Sequence, residues 1–276
     1  MNRKVLFLII SCLYCICVIA QSYGDDFEIA LKTKNMTKAE EILKAWDFAN
    51  SNDPDLYIAY FNFYTVMSQN AALPIAVTGL DQKYSKQALE FITEGITRFP
   101  TRFDMRVAKV YMLGELRDYQ AYTAEMIKMI DYSARIENNW KTEGFLSLDK
   151  PEEMFFEAVL DCQSFLFIQK NPSLYKDIIR LSEEMLKYYP KHVQSLLNMS
   201  TVYIEQKEYD KSIETLQKAI TIEPANAVLY YNIAYVYNQK GDKASAKKNY
   251  ELTITHCKGD EEKLKETAQN RLADLK

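Results

Sequence analysis

Hydrophobic residues along this chain recur every three or four positions, and almost never every second one. Ala39, Ile42, Leu43 and Trp46 form one such stripe; Ile178, Leu181, Met185 and Leu186 form a second; Ile213, Leu216 and Ile220 form a third. Spacing of i, i+3, i+4, i+7 gathers apolar side chains on one face of an α-helix, whereas a half-buried strand needs alternation. The pattern predicts helices over Ala39–Asn50, Ser85–Phe99, Glu152–Gln169, Lys176–Tyr189 and Glu261–Leu275. Pro54, Pro100, Pro190 and Pro224 punctuate the ends of such stretches. Proline ends a helix because it has no amide hydrogen to donate to the preceding turn. With only seven prolines and seven glycines, these breaks stand out. The fold class expected is all-α.

The first twenty residues read differently. A basic start, Met1-Asn2-Arg3-Lys4, precedes an apolar run from Val5 to Ala20. That order, closed by the compact residues Val18-Ile19-Ala20, is the pattern of a secretory signal with cleavage expected between Ala20 and Gln21. The run of sixteen falls short of the ~20 residues a spanning helix needs, which ranks an uncleaved anchor second. Ile9-Ile10-Ser11-Cys12 loosely resembles a lipobox, but only eleven residues precede its cysteine, so a lipid-anchored form ranks behind both. The expected location is outside the cytoplasm, periplasmic or envelope-associated in a Gram-negative bacterium.

Two segments in the last third repeat one another at an offset of thirty-four residues. Leu196 pairs with Tyr230, Asn198 with Asn232, Met199 with Ile233 and Ser200 with Ala234. Tyr203 pairs with Tyr237, Ser212 with Ala246, Leu216 with Tyr250 and Pro190 with Pro224. The period and the alternation of small and large positions together resemble the tetratricopeptide repeat, a unit of two antiparallel helices. In such a unit the helices cross closely only where side chains are small, a need that Ser200, Ser212, Ala219, Ala234 and Ala246 meet. Tyr203, Leu216, Tyr237 and Tyr250 then fill the space toward the next pair, and Gly241 suits a left-handed cap between paired helices.

The resemblance implies a right-handed α-solenoid of tetratricopeptide-like helix pairs with a C-terminal capping helix. Its expected organisation is a signal at 1–20, degenerate helix pairs over 21–136 and an irregular connector at 137–151. A degenerate pair over 152–190, two clear repeats over 191–258 and a cap at 259–276 complete it. An end helix with one polar face, such as the one bearing Leu264, Ala268, Leu272 and Leu275, closes the core of a stacked array. From its signal through its Tyr- and Lys-rich body the chain is also similar to secreted tetratricopeptide proteins of Bacteroidetes-like bacteria.

Composition narrows the function. The 276 residues carry 34 basic and 38 acidic side chains, a net charge of −4 without a basic cluster. Nucleic acid is therefore not the expected partner. Three of the five cysteines lie in the signal; Cys162 and Cys257 fall about two repeats apart, too far for a disulfide, and are read as buried thiols. The only two histidines, His192 and His256, are 64 residues apart, so no metal site is expected. Paired carboxylates (Glu40-Glu41, Glu152-Glu153, Glu183-Glu184, Glu261-Glu262) sit in charged helical faces that solvent would cover. No phosphate-binding glycine loop or nucleophile elbow occurs, and no catalytic residue or cofactor is assigned. The alternative to a scaffold is an envelope enzyme with its site in the irregular segments 70–83 or 137–151, where a loop packed on its own Trp140 competes with a functional one.

A tetratricopeptide array implies a groove lined by the first helix of each pair. Carried over residue by residue, that register gives Phe61, Asn62 and Thr65, then Leu197, Asn198 and Thr201, then Tyr231, Asn232 and Tyr235. Gln69, Glu205 and Gln239 continue the three rows. Members of the family that grip a terminal carboxylate place Lys and Arg where this chain has Leu197, Asn198 and Tyr231. The groove therefore points to a protein or extended peptide held by amides and aromatic rings, with Asn62, Asn198 and Asn232 either gripping a backbone or bonding a neighbouring helix. No membrane span is expected after cleavage.

Overall fold

The computed structural model describes residues 23–71, 79–142 and 150–275, and within them the only extended pairing is a single parallel bridge between Arg102 and Lys141. The expected signal at 1–20 lies outside the described residues, as do 72–78 and 143–149 of the two irregular segments. The rest of the described residues are helix and short turn. Among the described residues no helix is long and apolar enough to cross a membrane.

The chain divides into two compact units, one ending at Phe155 and the other beginning at Phe156. The N-terminal unit contains α1 (residues 23–32), α2 (Met36–Asn50), α3 (Pro54–Ala71), α4 (Gln82–Arg98), α5 (Phe103–Glu115) and α6 (Tyr119–Arg135). Helix α7 (Pro151–Ile168) crosses the division. The C-terminal unit continues with α8 (Tyr175–Tyr188), α9 (Val193–Glu205), α10 (Tyr209–Ile222), α11 (Ala227–Lys240), α12 (Lys243–His256) and α13 (Glu262–Asp274). The division thus falls inside α7 and not in the expected connector. Residues 137–142 belong to the first unit for a local reason: Lys141 N donates to Thr101 O and Phe103 N donates to Lys141 O, both at 2.9 Å.

Within each unit the core is handed from one helix pair to the next. Helix α3 turns Leu56, Ala59 and Phe63 toward α1 and α2, and Tyr57 and Phe61 toward α4 and α5. Helix α11 repeats the arrangement, with Leu229, Ile233 and Val236 facing α9 and α10 and Ala234 facing α12 and α13. Helices sandwiched this way are apolar on two sides, which explains why α3 and α11 lack a clean polar face. At the crossing points small residues do what their size predicts. Ser200 Oγ and Ser212 Oγ meet at 2.8 Å, and one repeat later Ala234 and Ala246 are both fully buried. Gly95 plays the same part in α4, where a Cβ would stand 2.8 Å from Tyr57 Cβ and 3.0 Å from Met105 Sδ.

The turns share one device. A residue with left-handed backbone follows the first helix of a pair at Lys34, Arg117, Lys170, Lys207 and Gly241, with φ between 51° and 87°. The next residue caps the following helix: Asn35, Asp118, Asn171 and Asp242 each accept a backbone amide hydrogen on a side-chain oxygen. Only Gly241 shows this geometry in its residue type; the other four positions carry Lys or Arg.

Candidate functional site

The nine groove residues fall in both units, and the structure treats them unequally. On α3, Phe61 is buried in the apolar cluster shared with α4 and α5, so it leaves the candidate surface. Asn62 is exposed, and Thr65 is half-buried with its hydroxyl spent on Phe61 O at 2.8 Å. On α9, Leu197 packs against the core, and exposed Thr201 donates back to Leu197 O at 2.9 Å. Such back-bonding is the default for a threonine inside a helix and marks no ligand.

Asn198 is the clearest correction. Its side chain is only 7% exposed. Its Nδ2 donates to Gln163 Oε1 at 2.6 Å, and its Oδ1 accepts from Gln194 Nε2 at 2.9 Å. Gln163 in turn donates to Ser182 Oγ at 2.8 Å and Ile178 O at 3.3 Å. A chain of amides therefore ties α7, α8 and α9 together, because a buried amide left unbonded would cost more than the bond itself contributes. Gln163 was missed by pattern reading, although a lone glutamine in the apolar stretch Phe155–Ile168 is the signal that could have marked it.

Helix α11 keeps the other three side chains closer to the surface. Tyr231, Asn232 and Tyr235 are all half-buried. Tyr231 sets its ring edge-on to Tyr250, 5.7 Å between centroids at 60°, and the Arg271 guanidinium of α13 lies against its phenol. Asn232 and Tyr235 form no side-chain hydrogen bond within the described residues. The three asparagines of one register thus differ: exposed at 62, buried at 198, half-buried at 232. Beneath this face Tyr250 is fully buried against Ala234, Ala246 and Ala268, and its hydroxyl has no partner. Burial pushes its phenol up to about 12.

The other candidate chemistry resolves into packing. Trp140 is buried, donates through Nε1 to Ser133 Oγ at 2.8 Å, and lies between Phe103 and Tyr132. The Arg106 guanidinium stands 4.2 Å from the Tyr132 ring centroid, and burial lowers its pKa. Asp53, pushed up by burial, spends one oxygen on Trp46 Nε1 and the other on Asp55 N, both at 3.0 Å. His192 sets Nδ1 2.8 Å from Ser195 Oγ and its ring 4.8 Å from that of Phe156. Cys162 and Cys257 are both free; Cys162 is buried as expected, but Cys257 is only half-buried at the end of α12. No cluster of three or more His, Cys, Asp or Glu positioned to hold a metal occurs among the described residues.

Comparison with known proteins agrees with the repeat. Residues 201–241, from late α9 to the turn after α11, match the family model described as a TPR repeat. No curated protein matches the sequence. Solved structures with detectable likeness include a tetratricopeptide repeat protein from Parabacteroides merdae, 17% identical over 87% of this chain and 80% of that one, TM-score 0.40. Another is YrrB, described as a TPR protein with an unusual peptide-binding site, 13% identical over 83% and 97% of the two chains, TM-score 0.41. The type III secretion translocator chaperone SycD of Yersinia enterocolitica is 16% identical over 44% and 92%, TM-score 0.39. At these TM-scores the likeness carries no functional information.

Proposed function

We propose that this chain is an exported, non-enzymatic interaction scaffold that holds an extended polypeptide along α11, with Thr201 of α9 at the edge. One observation carries the reading. Asn232 and Tyr235 stand half-buried on a helix whose other face is core, and neither spends its polar atoms inside the protein. An amide in that position both donates to and accepts from a peptide backbone, and a tyrosine ring adds contact area at little entropic cost. A partly desolvated site with unspent donors and acceptors binds better than an open surface, where water already satisfies them. The basic, apolar and small-residue order of residues 1–20 supports export, and the absence of a basic cluster speaks for a protein partner over nucleic acid.

Two measurements test the proposal. A photo-crosslinking residue at Tyr235 should capture a polypeptide in envelope fractions, with the same residue at exposed Glu214 of α10 as control. Asn232→Ala with Tyr235→Ala should abolish capture by a crosslinker at Thr201 while the helical signal stays intact. Equal capture from Tyr235 and Glu214, or capture unchanged by the double variant, refutes the α11 surface. Export is checked separately by the N-terminus of the purified protein, which should begin at Gln21.

A further inference from the structure

Arg106 of α5 holds a place that the last repeat gives to a tyrosine. Counted back from the left-handed turn residues Arg117 and Gly241, Arg106 and Tyr230 both stand eleven residues earlier. The two side chains make the same pair of contacts. Tyr230 donates its hydroxyl to Pro224 O at 2.9 Å and stacks on His256, with 4.7 Å between ring centroids. Arg106 donates Nε to Pro100 O at 3.1 Å and lies over the ring of Tyr132, 4.2 Å from its centroid. In both repeats the proline comes six residues before and the stacked ring twenty-six residues after. Leu196, eleven residues before the left-handed Lys207, is plain core. Packing at this place therefore needs no charge, since an uncharged side chain fills it twice elsewhere in the chain.

No carboxylate of the described residues pairs with Arg106, and only its Nε has a hydrogen-bond partner there. Glu125, the acidic group whose field reaches it, is spent on Lys109 at 3.2 Å and Lys128 at 2.6 Å. Arg135, 5.4 Å from the centroid of the same Tyr132 ring, adds a like charge and is paired with Asp131 at the surface. A half-buried charge costs free energy unless an opposite charge or an acceptor meets it. The rings of Tyr132 and Trp140, at 4.2 and 5.5 Å, offset part of that cost and hold the guanidinium in one orientation. Its remaining N–H groups form the fork that matches two oxygens of an anion. Tyr132 adds a third donor, because its hydroxyl has no partner among the described residues.

We propose that Arg106 and Tyr132 form a binding site for a phosphoryl group. Three donors at the rim of one ring fit its three terminal oxygens, whereas a carboxylate leaves one donor idle. Arg135 suits a charge near −2, since an exposed ion pair such as the one with Asp131 is weak enough to open. Free phosphate, a phosphate monoester and the headgroup phosphate of a lipid share this chemistry. The site lies outside the groove register. In the same count Tyr231, Asn232 and Tyr235 fall at Val107, Ala108 and Tyr111, while Arg106 turns to the C-terminal end of α6. It stands or falls without the α11 reading.

The test is a titration of the mature chain with sodium phosphate at pH 7, ionic strength held constant with sodium chloride. The readout is the set of arginine Nε–H resonances in 15N NMR. The resonance that disappears in Arg106→Tyr should shift and saturate; the other arginines, Arg135 excepted, should not respond. Acetate should need at least a tenfold higher concentration for the same shift. Arg106→Tyr installs the residue of the last repeat and so keeps the fold. Its thermal midpoint should no longer rise with phosphate, as that of the unmodified chain does. Arg106→Lys keeps the charge without the fork and should bind at least tenfold more weakly. Arg180→Lys on exposed α8, and the groove pair Asn232→Ala with Tyr235→Ala, should bind phosphate within twofold of the unmodified chain. Cosedimentation with vesicles containing phosphatidic acid, lost in Arg106→Tyr and competed by free phosphate, assigns the group to a lipid. Saturation without cosedimentation assigns it to a soluble phosphate. The proposal is overturned by a shift that never saturates or that chloride reproduces, by an equal response to acetate, or by a phosphate-dependent midpoint retained in Arg106→Tyr.

Discussion

Tyr250→Phe should make this protein more stable. Tyr250 lies on α12, fully buried, with Ala234, Ala246 and Ala268 around it and the Tyr231 ring edge-on. Its hydroxyl meets no acceptor or donor. A buried polar group without a partner costs about 1–3 kcal/mol relative to leaving it in water. Deleting the oxygen empties roughly 10–15 Å³, and at about 24 cal/mol per Å³ that void costs only ~0.3 kcal/mol. The balance is a gain of about 1–2 kcal/mol, or about 3–8 °C in Tm for a unit of this size. Urea unfolding followed by circular dichroism reads it directly, with an unchanged m-value confirming that the unfolded state is the same. The alkaline limb offers a second readout. Burial raises this phenol from its ordinary value near 10 to about 12, so the neutral form is favoured in the folded protein. That contribution is complete below pH 10 and is lost as pH rises toward 12, because the unfolded chain releases its proton first. Tyr250→Phe should flatten stability across that window. A destabilised variant, or an unchanged alkaline limb, would show that the hydroxyl is hydrogen-bonded and refute the reasoning.

Four further outcomes follow from the same geometry. Lys207→Gly should stabilise by about 0.5–1 kcal/mol and Gly241→Ala should cost about 1 kcal/mol, both by thermal unfolding, since the two positions share left-handed backbone that only glycine adopts freely. Gln163→Leu should cost about 2–4 kcal/mol by urea unfolding, because it strands Asn198 and Ser182 without their partner. Arg102→Met should cost about 3 kcal/mol: the buried guanidinium is held by Asp104 through two hydrogen bonds and by Asp55 in an ion pair at 2.6 Å. Removing it leaves two partly buried carboxylates facing each other, and an unchanged midpoint would show that water replaces the guanidinium without penalty.

Helix existence was legible in the chain because it rests on local periodicity. Predicted and observed helices agree within one residue for Glu152–Gln169, Lys176–Tyr189 and Glu261–Leu275, and α4 starts three residues before the predicted Ser85–Phe99. The small residues at the crossings were legible too, since the thirty-four-residue offset set Ser200 and Ser212 beside Ala234 and Ala246. The candidate surface was less so. Three asparagines in one register looked equivalent, yet Asn198 is buried only because Gln163, thirty-five residues earlier, comes within 2.6 Å of it. Nothing local to either residue encodes that distance.

The turns show the same division. Gly241 announced a left-handed cap by its residue type, while Lys34, Arg117, Lys170 and Lys207 adopt the geometry in spite of theirs. There the packing of the paired helices holds the backbone where intrinsic preference would not. The sequence by itself determined that the chain is helical, that its last third is a tandem repeat and where the helices stop, because hydrophobic period, proline and glycine act within a few residues. Tertiary structure alone decided which polar side chains are spent inside and which are left unspent at the surface. That choice depends on what lies across each helix face, and contacts made between distant segments fix it.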